Sequence, residues 1–269
     1  MFSRAMCLIL FSHQEHPGYD LVLAANRDEF FQRPTDPAGF WADAPEILGG
    51  RDRQAGGTWM GVHRDGRWAA VTNFRDGNRL RTGERSRGEL VTHYLRGGDR
   101  AKSCARNLLP LRHQFGGFNL LLGDRDGVVF LSSELPASQI LEPGLYGLSN
   151  HLLDSPWPKV ERGKRGLREI LSASQAPAGE ALFDLLAERR IAEDQLLPQT
   201  GISQDWERTL SAAFISAPGY GTRVSSLLLI DRNGAVHFRE RSFSEQGNRV
   251  GDRHFDFVVS RPDPALTGS

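Results

Sequence analysis

Cysteine and lysine are scarce in this chain, and its charges cancel. Two cysteines, Cys7 and Cys104, cannot form a disulfide framework, so a reducing, cytoplasmic location is expected. Lys plus Arg and Asp plus Glu each number 33, which disfavours a nucleic-acid partner because counterion release needs a basic surface. No apolar run approaches the roughly 20 residues of a membrane-spanning helix. The apolar run 7–11 is too short for a signal peptide. We therefore expect no secretion and no stable membrane insertion.

Four β-hairpins are indicated by apolar runs on either side of turn residues. Three of them carry Asp-Gly or Asn-Gly at the turn, within 58–72, 118–131 and 225–238. These dipeptides favour a type I′ turn, which needs positive φ at both central residues. A fourth hairpin, with a longer loop, joins 7–11 to 20–25.

Segments with a helical period separate the hairpins. Ser86 and Glu89 have the spacing of a capping box, and the apolar stripe of a helix follows them at 90–95. Further apolar stripes with a helical period lie at 101–109, 157–171 and 180–189. Locally paired strands with helices between them favour an α+β fold with mainly antiparallel sheets, and no linker divides the chain.

Reactive and polar residues collect at the hairpin ends opposite the turns. They are a thiol, a carboxylate, two amides and a guanidinium: Cys7, Asp28, Asn73, Asn150 and Arg223. If the sheets stack in one direction, these groups converge at one edge, as a nucleophile, its orienter, oxyanion donors and an anion clamp would. The alternative is structural: a small buried cysteine, helix or turn caps, and an arginine paired with a core carboxylate.

The pair Met6-Cys7 bears on how such a thiol would be activated. If the chain begins at Cys7, the α-amine, with an ordinary pKa of about 7.7–8, is a usable base at neutral pH. We predict that the mature chain does begin there. Residues 1–6 would then be a disordered or removed extension, and 7–269 a single domain.

Short motifs along most of the chain resemble the NRDE family, also called the Transport and Golgi organisation family. The motif that gives the family its name is Asn26, Arg27, Asp28 and Glu29, and the others lie at 56–59, 71–74, 86–90, 146–150, 153–159 and 221–223. The resemblance implies a four-layer αββα sandwich of the N-terminal-nucleophile hydrolase type. It also implies a role in haem trafficking or in lipid and acyl-CoA metabolism.

A more distant likeness is to the choloylglycine and penicillin V amidase group. The nucleophile, amine-orienting carboxylate, two oxyanion-side asparagines and active-site arginine of that group match, in order, Cys7, Asp28, Asn73, Asn150 and Arg223. This chain departs from the group at Ala25, where the group has an arginine. It also departs in the residues before Cys7, which would block a free α-amine.

Two functions follow from these observations, and the sequence does not choose between them. One is a hydrolase or acyl transferase that acts on an amide or thioester without a cofactor. The other is a non-catalytic carrier of haem or of a lipid-like acyl ligand. Both imply a small-molecule partner, acyl-bearing or anionic.

An arginine cluster follows Asn73 and bears on this ligand. Its candidate members for an anion-binding rim are Arg75, Arg79 and Arg81. Guanidinium groups suit planar oxyanions, although such a cluster is also typical of a solvated loop. No histidine spacing predicts a metal site.

Overall fold

Two seven-stranded antiparallel sheets, stacked face to face, form the centre of the structure. This computed structural model describes residues 6–79, 83–173, 176–177 and 179–259. In spatial order, the first sheet contains β10 (Gly144–Leu148), β1 (Met6–His13), β2 (Tyr19–Phe30), β12 (Tyr220–Asp231), β13 (Ala235–Phe243) and β14 (Arg249–Val258), with β11 (Ser216–Ala217) beside β12. The second contains β3 (Thr35–Trp41), β4 (Ala44–Asp52), β5 (Met60–His63), β6 (Trp68–Asn73), β7 (Phe118–Asp124), β8 (Gly127–Ser132) and β9 (Gln139–Leu141).

Helices cover the outer face of each sheet. They are α1 (Gly88–Arg96), α2 (Ala101–Leu108), α3 (Pro158–Ala173) and α4 (Gly179–Leu186). A fifth helix, α5 (Gln204–Thr209), packs through Trp206 against Met6 and Tyr220 instead, and 3₁₀ turns lie at Leu109–Gln114 and Asp194–Leu196. Helices α1 and α2 share one buried apolar cluster with the second sheet, and α3 and α4 share another with the first. None of the helices in the described ranges is long and apolar enough to cross a membrane.

Side-chain alternation along the strands assigns residues to these layers. Along β1, Ile9 and Phe11 enter the core between the sheets, whereas Leu8 and Leu10 pack against α3 and α4. Successive side chains of a strand point to opposite faces, so one strand supplies both clusters. The expected four-layer αββα arrangement with antiparallel sheets is confirmed.

All four predicted hairpins are present, but their tight turns are not of type I′. Gly66 and Gly234 have φ of +89° and +85°, whereas the only described non-glycine residues with positive φ are Gln14 and Asp154. The Gly66 N–H donates to the carbonyl of His63 at 2.9 Å. Only the glycine is left-handed, as in a type I turn followed by a glycine bulge.

The capping residues before α1 make half of the predicted box. The Ser86 N–H donates to Glu89 Oε1 at 2.9 Å, but the Ser86 hydroxyl accepts from Gly88 at 3.3 Å rather than from Glu89. The predicted helix at 180–189 is shorter in the structure, because α4 ends at Leu186.

We predict that Gly57→Ala lowers the free energy of unfolding by about 1–3 kcal/mol. A Cβ at Gly57 would lie 2.7 Å from the carbonyl carbon of Gly88, at the start of α1. Neither backbone segment can yield without moving the helix. Urea denaturation at neutral pH measures the change.

The matched control is Gly39→Ala, because a Cβ there meets nothing within 4 Å. Its free energy of unfolding is expected to stay within about 0.5 kcal/mol of the parent. Equal effects of the two substitutions would contradict the close approach at Gly57.

Candidate functional site

A cavity of about 800 Å³ opens between the sheets where β1 begins and where β2 and β6 end. Cys7, Arg27, Glu29 and Asn73 line it from these strand ends. Trp206 of α5 forms part of the opposite wall. A pocket of this size and position accommodates a small organic ligand.

Cys7 is almost fully buried at the floor of this cavity. It pairs with Arg27 across β1 and β2, so the two side chains share the cavity face. Its N–H donates to Asn150 Oδ1 at 3.4 Å. Burial, and then the carboxylate of Asp28, raise the pKa of the Cys7 thiol to about 12, although Arg27 opposes them. The thiol is therefore protonated at neutral pH and needs a base to act as a nucleophile.

Asn150 ties the start of β1 to the end of β6. Besides accepting from Cys7, its side-chain Nδ2 donates to the backbone carbonyl of Asn73 at 3.0 Å. The hydroxyl of Ser149 donates to the Cys7 carbonyl at 2.9 Å. The structure thus brings Cys7, Asn73 and Asn150 together. Asn73 lines the cavity, whereas Asn150 is buried behind it.

The four residues 26–29 are divided between the two faces of β2. Arg27 and Glu29 line the cavity, following Leu23 and Ala25 of the central core. Asn26 and Asp28 continue the other set of alternating positions, after Val22 and Ala24, which pack against the helices. Asn26 and Asp28 therefore face the helical layer, because side chains alternate along a strand.

Asn26 is a structural residue. Its Nδ2 donates to the carbonyls of Leu186 and Ala213, both at 2.8 Å, and its Oδ1 accepts from Ser225 at 2.6 Å. These bonds hold the end of α4 and the segment before β11 against the sheet.

Asp28 is a buried carboxylate with one unsatisfied oxygen. Its Oδ1 accepts from the Thr222 hydroxyl at 2.6 Å, whereas the buried Oδ2 has no hydrogen-bond partner in the described ranges. Burial raises the pKa of Asp28 to about 6, and the charge of Lys159 is the strongest influence against this rise. Burial also lowers the pKa of Lys159 to about 8. Asp28 and Lys159 are thus two buried groups of opposite charge, and each favours the charged form of the other.

The charged side chains on the cavity face of β2 are paired. Arg27 lies 3.5 Å from Glu29 and 4.0 Å from Asp52. Arg33 lies 2.7 Å from Asp52. These arginines are therefore balanced by carboxylates beside the cavity.

Arg223 does not join Cys7 at the cavity. A bulge between Thr222 and Val224 displaces it from the regular alternation of β12. Its Nη1 donates to the carbonyls of Phe30 (3.2 Å) and Arg33. Of the five groups, Cys7, Asn73 and Asn150 thus lie together, whereas Arg223 bonds to the backbone and Asp28 faces the helical layer. The catalytic roles of all five stay predictions.

The three arginines expected at the rim differ from one another. Arg75 is buried, with its Nη1 3.3 Å from Glu207 Oε2 and its guanidinium 4.2 Å from the centroid of the Trp157 ring. Arg79 is exposed and lies 3.7 Å from Asp76. Arg81 lies outside the described residues. Arg75 is thus part of a wall rather than of a solvated loop, and anion binding by these residues stays a prediction.

Comparison with known proteins identifies the family. The family model described as Transport and Golgi organisation 2 matches residues 6–245. The chain belongs to the Transport and Golgi organisation 2 family. The human Transport and Golgi organization protein 2 homolog is 36% identical over 261 residues, which cover 90% of this chain and 94% of that protein. Transport and Golgi organization protein 2 of Drosophila melanogaster is 30% identical over 263 residues, which cover 89% of this chain and 93% of that protein.

A solved structure is also similar to this Transport and Golgi organisation 2 family member. It is the Caenorhabditis elegans N-acylethanolamine-hydrolyzing acid amidase ortholog, at a TM-score of 0.49 and 8% identity. The match covers 83% of this chain and 92% of that one. The resemblance to the NRDE family is confirmed by the family match.

Lys159, which acts on Asp28 in this family member, was not predicted as a functional residue. Lys159 lies in the first turn of α3 and is 2% exposed. A cation is unfavourable at a helix N-terminus, and only three lysines occur in the chain. That unusual placement was the available signal. Tyr220 and Thr222, which also surround Asp28, carry no such signal.

We predict that Cys7 is alkylated slowly while Met6 remains attached. In a Cys104→Ala background, iodoacetamide at pH 8 is expected to react about a thousandfold more slowly with the folded chain than with the chain in denaturant. The reason is the small thiolate fraction that accompanies a raised pKa. Intact-mass kinetics measure both rates.

The rate for the folded chain should also rise with pH up to at least pH 10. Cys7→Ala/Cys104→Ala is the blank. Equal rates in folded and denatured chains would contradict the buried, protonated thiol.

Proposed function

We propose that this chain is a cytoplasmic N-terminal-cysteine hydrolase or acyl transferase that acts on an amide or thioester. The observation that supports this most strongly is that Cys7 and Asn73 line the same cavity, with Asn150 buried behind them and hydrogen-bonded to the backbone of both. A thiol beside amide groups is the arrangement that acyl transfer needs, namely a nucleophile next to oxyanion donors.

In the proposed reaction, the Cys7 sulfur attacks the substrate carbonyl and gives its proton to the base. The bond from the acyl carbon to the leaving amine or thiol breaks, and the leaving group takes that proton. Water or an acceptor amine or alcohol then releases the acyl group from the Cys7 thioester. Asn73, which lines the cavity, is the proposed oxyanion donor, and Asn150 positions Cys7 and the Asn73 backbone.

The base in this proposal is the α-amine of Cys7, so the Met6–Cys7 bond must be absent in the active chain. When Met6 is attached, Met6 is the first residue of β1, and the Met6 N–H donates to the Tyr220 hydroxyl at 3.0 Å. Its side chain packs with Leu210 and Ile215. In that form the Cys7 nitrogen is a peptide nitrogen without useful basicity.

The cavity supports a substrate with both a polar and an apolar part. Aromatic side chains, Trp59, Phe74 and Trp206, lie in its wall together with the paired charges of Arg27 and Glu29. An acyl chain would contact the aromatic residues, and a polar head group would meet the charged ones.

A second candidate function is carriage of an acyl ligand or haem without chemistry. The protonated Cys7 thiol and the size of the cavity favour it. The described residues that line the cavity include no histidine, so Met6 and Cys7 are the residues that would have to hold the iron of a haem bound there.

Purified protein tested with a panel of acyl-CoAs and N-acyl amides separates the two functions. We expect turnover that Cys7→Ala abolishes and that Cys104→Ala, a core substitution, preserves. An acyl adduct on Cys7, seen by intact mass, would accompany it. Stoichiometric haem binding that survives Cys7→Ala, with no turnover of any substrate, would instead leave the carrier function.

The first residue of the active protein is a separate test. For untagged protein expressed from its native start region, we expect an intact mass that begins at Cys7. Active protein whose mass includes Met6 would contradict the α-amine as base.

A further inference from the structure

Asp28 of β2 and Lys159 of α3 are groups of opposite charge that are both buried on the helical side of the first sheet. Their exposed fractions are 0% and 2%. Asp28 faces the helical layer by the alternation of β2, and α3 packs against β1 in the same layer through Val160, Leu8 and Leu10. Removal of two such charges from water is unfavourable unless each compensates the other.

Hydrogen bonds alone do not compensate the buried charge of Asp28. The Thr222 hydroxyl donates to Asp28 Oδ1. The second oxygen, Asp28 Oδ2, is buried and has no hydrogen-bond partner in the described part of the chain. An ionised carboxylate in such a place needs a nearby cation. Lys159 is the foremost cation acting on Asp28, ahead of Arg27 on its own strand.

Other charged and titratable groups surround the pair. Around Asp28 they are Cys7 on β1, Arg27 and Glu29 on β2, and Tyr220 on β12. Around Lys159 they are Arg75, Cys7 and Arg162. Arg75 and Arg162 both oppose a charge on Lys159, whereas Asp28 is the foremost group that favours it. Among these groups, Lys159 most favours the charged form of Asp28, and Asp28 most favours the charged form of Lys159.

We propose that Lys159 is a positioning residue whose side-chain ammonium balances the Asp28 carboxylate behind Cys7. The pair does not require a Cys7 α-amine, because both charges come from side chains. In the chain with Met6 attached, Lys159 therefore supplies the cation that Asp28 would otherwise take from the amine. The role of the pair in catalysis rests on the proposed function, but its existence does not.

The three lysines of the chain allow a direct test. Protein labelled with ¹³C at the lysine Cε carbons gives three titrating signals, assigned by substituting each lysine in turn. The Lys159 signal is expected to titrate with a pKa of about 8. In Asp28→Asn its midpoint should fall by about one pH unit, because its main counter-charge is lost. The curves of Lys102 and Lys164, which serve as internal controls, should overlay in the two proteins.

An unchanged Lys159 midpoint in Asp28→Asn would overturn the proposal. Urea midpoints for Asp28→Asn, Lys159→Met and the double variant provide a second measurement. The urea midpoint of the double variant is expected to be higher than that of at least one single variant, because each single variant leaves one buried charge without its partner. If the single variants fail to fold and the double variant folds, the pair is supported. A double variant that is less stable than both, or that fails with them, overturns it.

Turnover separates this proposal from the proposed function. If an acyl substrate is found, Lys159→Arg should recover part of the activity that Lys159→Met loses. Lys102→Met, at an exposed position of α2, should match the parent. Coupled lysine titration without any turnover would uphold the pair and refute the proposed function. Turnover in a protein whose Lys159 titration does not change in Asp28→Asn would uphold the proposed function and refute the pair.

Discussion

The two-residue alternation along β2 is the constraint on which the site depends. It sends Arg27 and Glu29 into the cavity and Asn26 and Asp28 into the helical layer. A shift of one residue in the pairing with β1 would exchange these faces. The four residues 26–29 therefore form two pairs with different surroundings. One pair lines the cavity, and the other faces the helices.

The buried charges around Cys7 are costly features for a protein of marginal stability. Asp28 and Lys159 both have pKa values moved toward their neutral forms by burial. The partners Arg75 and Glu207 are likewise buried, and Arg75 Nε and Glu207 Oε2 have no hydrogen bond in the described ranges. Apolar residues of similar volume are often as stabilising as buried ion pairs. Such groups near a cavity are consistent with a functional role.

Contacts between the sheets hold the candidate site in place. Asn150, after β10 of the first sheet, reaches Cys7 of the same sheet and Asn73 of the second. Glu240 of β13 accepts from the Ala38 N–H of β3 at 2.8 Å, again across the two sheets. Because both residues are buried, these hydrogen bonds fix the separation of the sheets at either side of the cavity.

The sequence by itself determined the local elements and the family. Period-two and helical patterns, with glycine at the turns, predicted the β1–β2, β5–β6, β7–β8 and β12–β13 hairpins and the helices α1 to α4. They did not predict β3, β4, β9, β11, β14 or α5. Gly39 and Gly49 dilute the apolar pattern of β3 and β4. The edge strand β14 is half exposed and charged, and α5 has only six residues.

The tertiary structure alone decided which polar residues meet. Local pattern predicted that Cys7, Asn73 and Asn150 lie at strand ends, but their contact depends on how two sheets stack. The bulge that turns Arg223 away changes the register by one residue, and nothing in the local sequence specifies it. Lys159 lies 131 positions after Asp28 in the chain, and its helix α3 packs on β1, the strand beside β2. Such long-range contacts are set by the burial of whole faces, which no local pattern records.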